Sequence, residues 1–154
     1  LEVQRRGFGP ADAQELLRTK VAPWAQELNL VVEQCSTVGA RLRMPYSTRL
    51  LRAGNTICGQ ALMAAADTAL AIAICGSLGG FRDITTVGQN ISFMRPIADA
   101  DVLIHANVRK LGRNIIFGEA TLSGAGAQSM AAHATAIWAL VQSRSDGFPS
   151  ARRT

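Results

Sequence analysis

The hydrophobic pattern changes period twice along the chain. Residues 10–27 predict a short helix that starts after Pro10 and breaks before Pro23, because proline opens a helix but cannot continue one. The run LVVEQCSTVGARLRMP then gives two extended pieces around Gly39. In the second piece Ala40, Leu42 and Met44 alternate with Arg41 and Arg43, the period of a half-buried strand. YSTRLLRAGN reads as a loop. From Cys58 to about Cys75 the period is lost in an alanine-rich helix that is apolar at almost every position. Period two then returns, with strands expected near 84–94, 101–110, 114–123 and 127–141. Turns fall at Pro96 with Asp99, at Leu111-Gly112-Arg113, and at Gly124-Ala125-Gly126. The expected organisation is an N-terminal helical segment (1–27), one domain (28–142) and a polar tail (143–154). A chain of 154 residues suffices for one domain with a proper core.

One long helix with six strand-like segments, mostly in hairpin order, predicts an α+β fold with an antiparallel sheet. The helix is not amphipathic: Ala61, Leu62, Met63, Ala64, Ala65, Ala66, Ala69, Leu70, Ala71, Ile72 and Ile74 point in every direction. A membrane span needs about 20 apolar residues. The stretch is nearly that long, but Asp67 lies at its centre, where a charge is costly. A sheet curled around the helix is the better solution. Small alanines let strands approach on several sides, and that arrangement is the hotdog architecture.

The formal charge is +5, and fourteen of the sixteen basic residues are arginine. They are scattered, apart from Arg5-Arg6, Arg109-Lys110 and Arg152-Arg153, and no aromatic residues interleave with them. This argues against nucleic acid as the partner. Cys35, Cys58 and Cys75 show no C-x-x-C spacing, and His105 and His133 stand alone, so no metal site is expected. The opening LEVQRRGFGPADAQE has no apolar signal core. With an odd number of cysteines, this predicts a cytoplasmic protein.

Asp67 is the only charge between Arg52 and Arg82. The runs CGQALMAAADTALAIA, TTVGQNISFMRPI and DVLIHANVRKLGRNIIFGEATL together resemble the hotdog-fold thioesterases, above all the phenylacetyl-CoA thioesterase-like group. The likeness covers roughly residues 30–141. Three marks carry it: Gly59 opening the helix with Asp67 eight residues on, the Phe93-x-Arg95-Pro96 strand end, and the Leu111-Gly112-Arg113 hairpin.

The resemblance implies hydrolysis of acyl-CoA thioesters without metal or cofactor. It makes Asp67 the base or nucleophile, the Gly59 amide the group that polarises the thioester carbonyl, and Thr86 the aid to the attacking water. Asn90 is expected on the same strand face as Thr86. Many relatives read His-Gly-Gly where this chain reads Cys58-Gly59-Gln60, so the residues that position the substrate differ. A polar residue usual on the preceding loop has Arg52 nearest to its place, with Asn55 as a substitute. Arg95 and Arg113 are the candidates for the coenzyme A phosphates.

Helix geometry constrains this mechanism. Eight residues span about 12 Å at 1.5 Å each. Gly59 and Asp67 of one chain therefore cannot both touch one carbonyl, and the reading requires a homodimer or tetramer in which they face each other across subunits. Asp67 in apolar surroundings should have a raised pKa. Two other readings remain open: a non-catalytic acyl-CoA-binding protein of the same fold, and a hydratase or dehydratase, which would present a histidine with the carboxylate. The sequence leaves the acyl group, and coenzyme A against acyl carrier protein, undecided.

Overall fold

A computed structural model describes residues 7–142. The polar tail expected at 143–154, and the arginine pairs at 5–6 and 152–153, lie outside the described residues. Helix α1 (Pro10–Thr19) has proline in its first turn, and α2 (Pro23–Gln26) restarts at the second proline. Strands β1 (Val31–Cys35) and β2 (Gly39–Met44) follow. In β2, Ala40, Leu42 and Met44 are buried and the arginines are half-exposed, as the alternation required. Glu33 on β1 anchors Arg43 at 2.6 Å.

The stretch expected as a loop before the helix holds more order. A 3₁₀ turn (Thr48–Leu50) leads into a small hairpin of two-residue strands, β3 (Leu51–Arg52) with β4 (Thr56–Ile57). Gly54 and Asn55 at its tip take φ of 93° and 58°, the positive values a tight hairpin demands. Helix α3 (Gly59–Leu78) comes next and stops at Gly79 (φ 75°), whose neighbour Gly80 donates its amide to the Cys75 carbonyl.

Four strands complete the domain: β5 (Ile84–Phe93), β6 (Val102–Leu111), β7 (Ile115–Gly124) and β8 (Ala132–Leu140). The strand expected from residue 127 starts instead at Ala132. Gly124–Ala127 forms a turn, and Gly126 has φ 81°. All pairings are antiparallel, in the order β1-β2-β6-β7-β8-β5. The β5–β6 link is thus a crossover and not a hairpin, and β5 stands at an edge of the sheet. This is the hotdog fold: one antiparallel sheet around one long helix.

Helix α3 is long and apolar enough to cross a membrane. Here it is the core, with twelve of its twenty residues buried. Ala65, Ala66, Ala69, Leu70, Ala73 and Ile74 have no exposure and share one core cluster with Leu42, Met44, Ile104 and Ile116 of the sheet. Approach is close enough that a Cβ at Gly76 would lie 2.5 Å from the Ser36 carbonyl oxygen. The wrapping is incomplete, however. Gln60, Met63, Ala64, Asp67 and Ala71 retain exposure. Their spacing of three and four residues forms one open stripe along the helix.

Candidate active site

Asp67 lies on that open stripe and is half-buried. Burial raises its carboxyl above the ordinary aspartate range, and a hydrogen bond from Thr86 partly opposes the rise. The Thr86 hydroxyl donates to Asp67 Oδ1 at 2.9 Å. The neighbouring Thr68 does not share this task, because its hydroxyl donates to the Ala64 carbonyl at 2.8 Å. Thr86 reaches Asp67 because β5 runs beside α3, and its side chain alternates onto the inner face of the sheet.

A bulge then resets that alternation. Thr86 pairs with Trp138, but Gly88, not Val87, pairs with Ile137, so Val87 is the extra residue. Beyond the bulge, Gln89 and Ile91 oppose the buried Ala136 and Ala134, while Asn90 opposes the exposed Thr135. Asn90 therefore lies on the outer face, away from Asp67, which corrects the expectation that it shares a face with Thr86. Gln89 takes the inward position, donates to the Met63 carbonyl at 3.1 Å and lines the trough that holds Asp67. The Val87-Gly88 pair inside a strand pattern is the sequence signal that could have revealed the shift.

Gly59 is the first residue of α3, after an extended Cys58 (ψ 148°) whose side chain makes no cap hydrogen bond. The first-turn amides are therefore not consumed by the cap and retain the partial positive charge of a helix N-terminus. The Phe93 ring lies against Gly59, and a Cβ there would come within 3.2 Å of its Cζ. A cavity of about 360 Å³ opens at this end, lined by Arg52, Gly59, Phe93 and Arg95. Arg95 is steadied by donating to the Met130 carbonyl at 2.9 Å, and Arg52 by donating to the Ala53 carbonyl at 2.8 Å. Both bring positive charge to the mouth.

The remaining expected residues are dispersed. Asn55 is exposed at the β3–β4 turn and does not line the cavity at Gly59. Gln60 is exposed and lines the Asp67 trough. Arg113 is exposed on the β6–β7 turn, which lies beside the start of β5, whereas Arg95 follows its end. Ten residues of strand put roughly 30 Å between those ends, so one chain does not bring Arg95 and Arg113 together. Cys35 and Cys75 are buried, and burial pushes the Cys35 thiol up to about 11. Cys58 alone of the three is near the site. His133 faces Glu119 at 3.4 Å, away from Asp67. No cluster that could hold a metal ion occurs among the described residues. Asp67 and Gly59 line separate cavities of the chain.

The sequence profile of the thioesterase superfamily matches residues 54–138, more than half of the chain. A Thermoplasma acidophilum protein named "Putative esterase" is 26% identical over 92 residues, which is 60% of this chain and 69% of that protein. The zebrafish thioesterase superfamily member 2 superposes with a TM-score of 0.77 at 19% identity, covering 87% of this chain and 99% of that one. The E. coli PaaI protein from the phenylacetic acid degradation operon superposes with a TM-score of 0.73 at 19% identity, covering 86% and 92%.

Proposed function

The chain belongs to the thioesterase superfamily, and we propose that it hydrolyses acyl thioesters of coenzyme A in the cytoplasm, at two equivalent sites of a homodimer. The observation that carries this reading is the carboxylate of Asp67. It is half-buried on the open stripe of α3, held by Thr86, and about 12 Å of helix away from a glycine N-terminus. The edge of β5, unpaired among the described residues, runs alongside the stripe and offers its ladder to a second copy.

In the dimer, Asp67 of one chain faces the Gly59 amide of the other. The amide holds the thioester oxygen as negative charge develops on it, a contribution worth about 3 kcal/mol for one such donor. Asp67 takes a proton from water as the new carbon–oxygen bond forms. The carbon–sulfur bond then breaks, and the thiolate recovers that proton. Thr86 fixes the carboxylate so that its second oxygen is turned to the water. Arg52 and Arg95, beside Gly59, meet the coenzyme A phosphates.

Thiol release from a panel of acyl-CoAs, wild type against Asp67→Asn, tests the reading. A proton acceptor of this kind is worth about 10²–10⁴ in rate, and a loss of that size in a folded variant is expected. Saturable binding of acyl-CoA by both proteins without turnover would replace hydrolysis by a non-catalytic binding role.

A further inference from the structure

The trough that holds Asp67 is bounded by the N-terminal segment as well as by α3. It has a volume of about 520 Å³, with Val21, Trp24 and Ala25 of the N-terminal segment on one side and Met63 and Asp67 of α3 on the other. A further cavity of about 550 Å³ lies under α1, against Leu30 and Val31. Val21, Ala25 and Thr68 line both, so the two spaces abut across small side chains.

The polar groups around the inner cavity are already engaged. Gln14 donates to the Leu30 carbonyl at 3.0 Å and accepts from the Val32 amide at 2.8 Å. Gln26 donates to the Val21 carbonyl at 2.7 Å, and Asn29 to the Glu27 carbonyl at 3.1 Å. Arg18 is paired with Glu15, and the Thr68 hydroxyl donates to the Ala64 carbonyl. Walls paired in this way offer an occupant apolar surface and little hydrogen bonding. The carboxylate of Asp67 and the exposed Gln60 stand in the outer trough and not in the inner cavity. The trough thus carries the reactive groups, while the adjoining groove at α1 is open to water at Gln14, Glu15 and Arg18 and apolar along its floor at Leu17, Ala25 and Leu30.

We propose that the acyl group lies with its thioester beside Asp67 and its tail running past Val21 and Ala25 into the cavity under α1. The N-terminal helical segment then sets the acyl length, and the favoured substrates are apolar acyl groups of medium length or more. Acetyl groups and acyl groups with charged or hydroxylated tails are disfavoured. This placement rests on the thioesterase reading above.

Each methylene buried in such a space is worth about fourfold. The test is the series acetyl-, butanoyl-, octanoyl- and dodecanoyl-CoA, with kcat/KM read by thiol release, for wild type, Val21→Trp and Val21→Ala. Wild type should climb along the series. Val21→Trp, on a half-buried wall position, should lower the octanoyl-to-butanoyl ratio at least tenfold, and Val21→Ala should extend the climb to longer chains. An unchanged ratio in both variants overturns the placement.

A binding measurement separates this inference from the hydrolytic one. Trp24 is 64% exposed on the trough wall, whereas Trp138 is 4% exposed in the core. The S-octyl thioether of coenzyme A, which cannot be hydrolysed, should shift Trp24 emission to the blue in wild type, and the shift should vanish in Trp24→Phe. A shift without turnover of any ester keeps the acyl placement and sinks hydrolysis. Calorimetric binding of the thioether with no Trp24 response overturns the placement, whatever the turnover. Neither binding nor turnover overturns both.

Discussion

Replacing Asp67 by asparagine should stabilise the protein at neutral pH while it disables the site. The carboxylate is held above its ordinary range chiefly by burial, with Thr86 opposing. A raised carboxyl favours the folded state in its protonated form. Its contribution is therefore fully present below the unfolded pKa, about 3.9 for an aspartate, and is lost as pH rises through the higher folded value. At pH 7 wild type bears the full cost of the buried charge. The half-open position of the Asp67 side chain lets water screen the charge, so the cost is modest.

Asparagine keeps an oxygen for the Thr86 hydroxyl, at the lower strength of a neutral hydrogen bond. A net gain of about 0.5–1 kcal/mol at pH 7 is expected, shrinking to nothing near pH 3.5. Urea denaturation of both proteins across that range reads the difference directly. A variant less stable than wild type at pH 7 would refute the reasoning. It would mean that the Thr86 hydrogen bond outweighs burial, so that the carboxylate is a structural tie.

Further expectations concern the other parts of the site. Thr86→Val removes the donor and leaves burial unopposed, so the acid limb of the kcat/KM profile should move to higher pH, with Thr86→Ser restoring it. Mixing Asp67→Asn subunits with Gly59→Val subunits should recover about a quarter of wild-type activity, since half of the random dimers are hybrids with one intact site each. Recovery absent in dimers shown to exchange would exclude a shared site. Gly76→Ala places a Cβ 2.5 Å from the Ser36 carbonyl oxygen. It should cost about 1–3 kcal/mol, read as a fall in Tm, and an unchanged Tm would show that β1 yields freely. Gln89→Ala should lower kcat/KM more than Asn90→Ala, because only Gln89 faces the trough; equal effects would place the outer face of the sheet in the reaction.

The sequence by itself determined the framework. An alanine-rich helix apolar on every side needs surroundings on several sides, and the period-two strands that follow it, with Asp67 weighing against a membrane span, pointed to a curled sheet. The alternation of Ala40, Leu42 and Met44 fixed which face of β2 is inside. The eight-residue gap between Gly59 and Asp67 is rigid helix geometry, and it already kept the two residues of one chain from meeting at one atom. Other features are decided by long-range pairing, of which the sequence carries at most a faint trace such as the Val87-Gly88 pair. The sheet order, with β5 beside β8 and away from β6, is a choice among partners distant in sequence. The bulge at Val87 turns Gln89 inward and Asn90 outward, because side chains alternate with period two and one inserted residue reverses every position beyond it. Likewise, Arg95 and Arg113 are equivalent strand-end cations in the sequence until pairing puts them at opposite ends of β5. The apolar space beneath α1 exists only where the N-terminal helices settle on α3 and β1. Periodicity records which residues turn from water, and only packing decides what shape of space they leave between them.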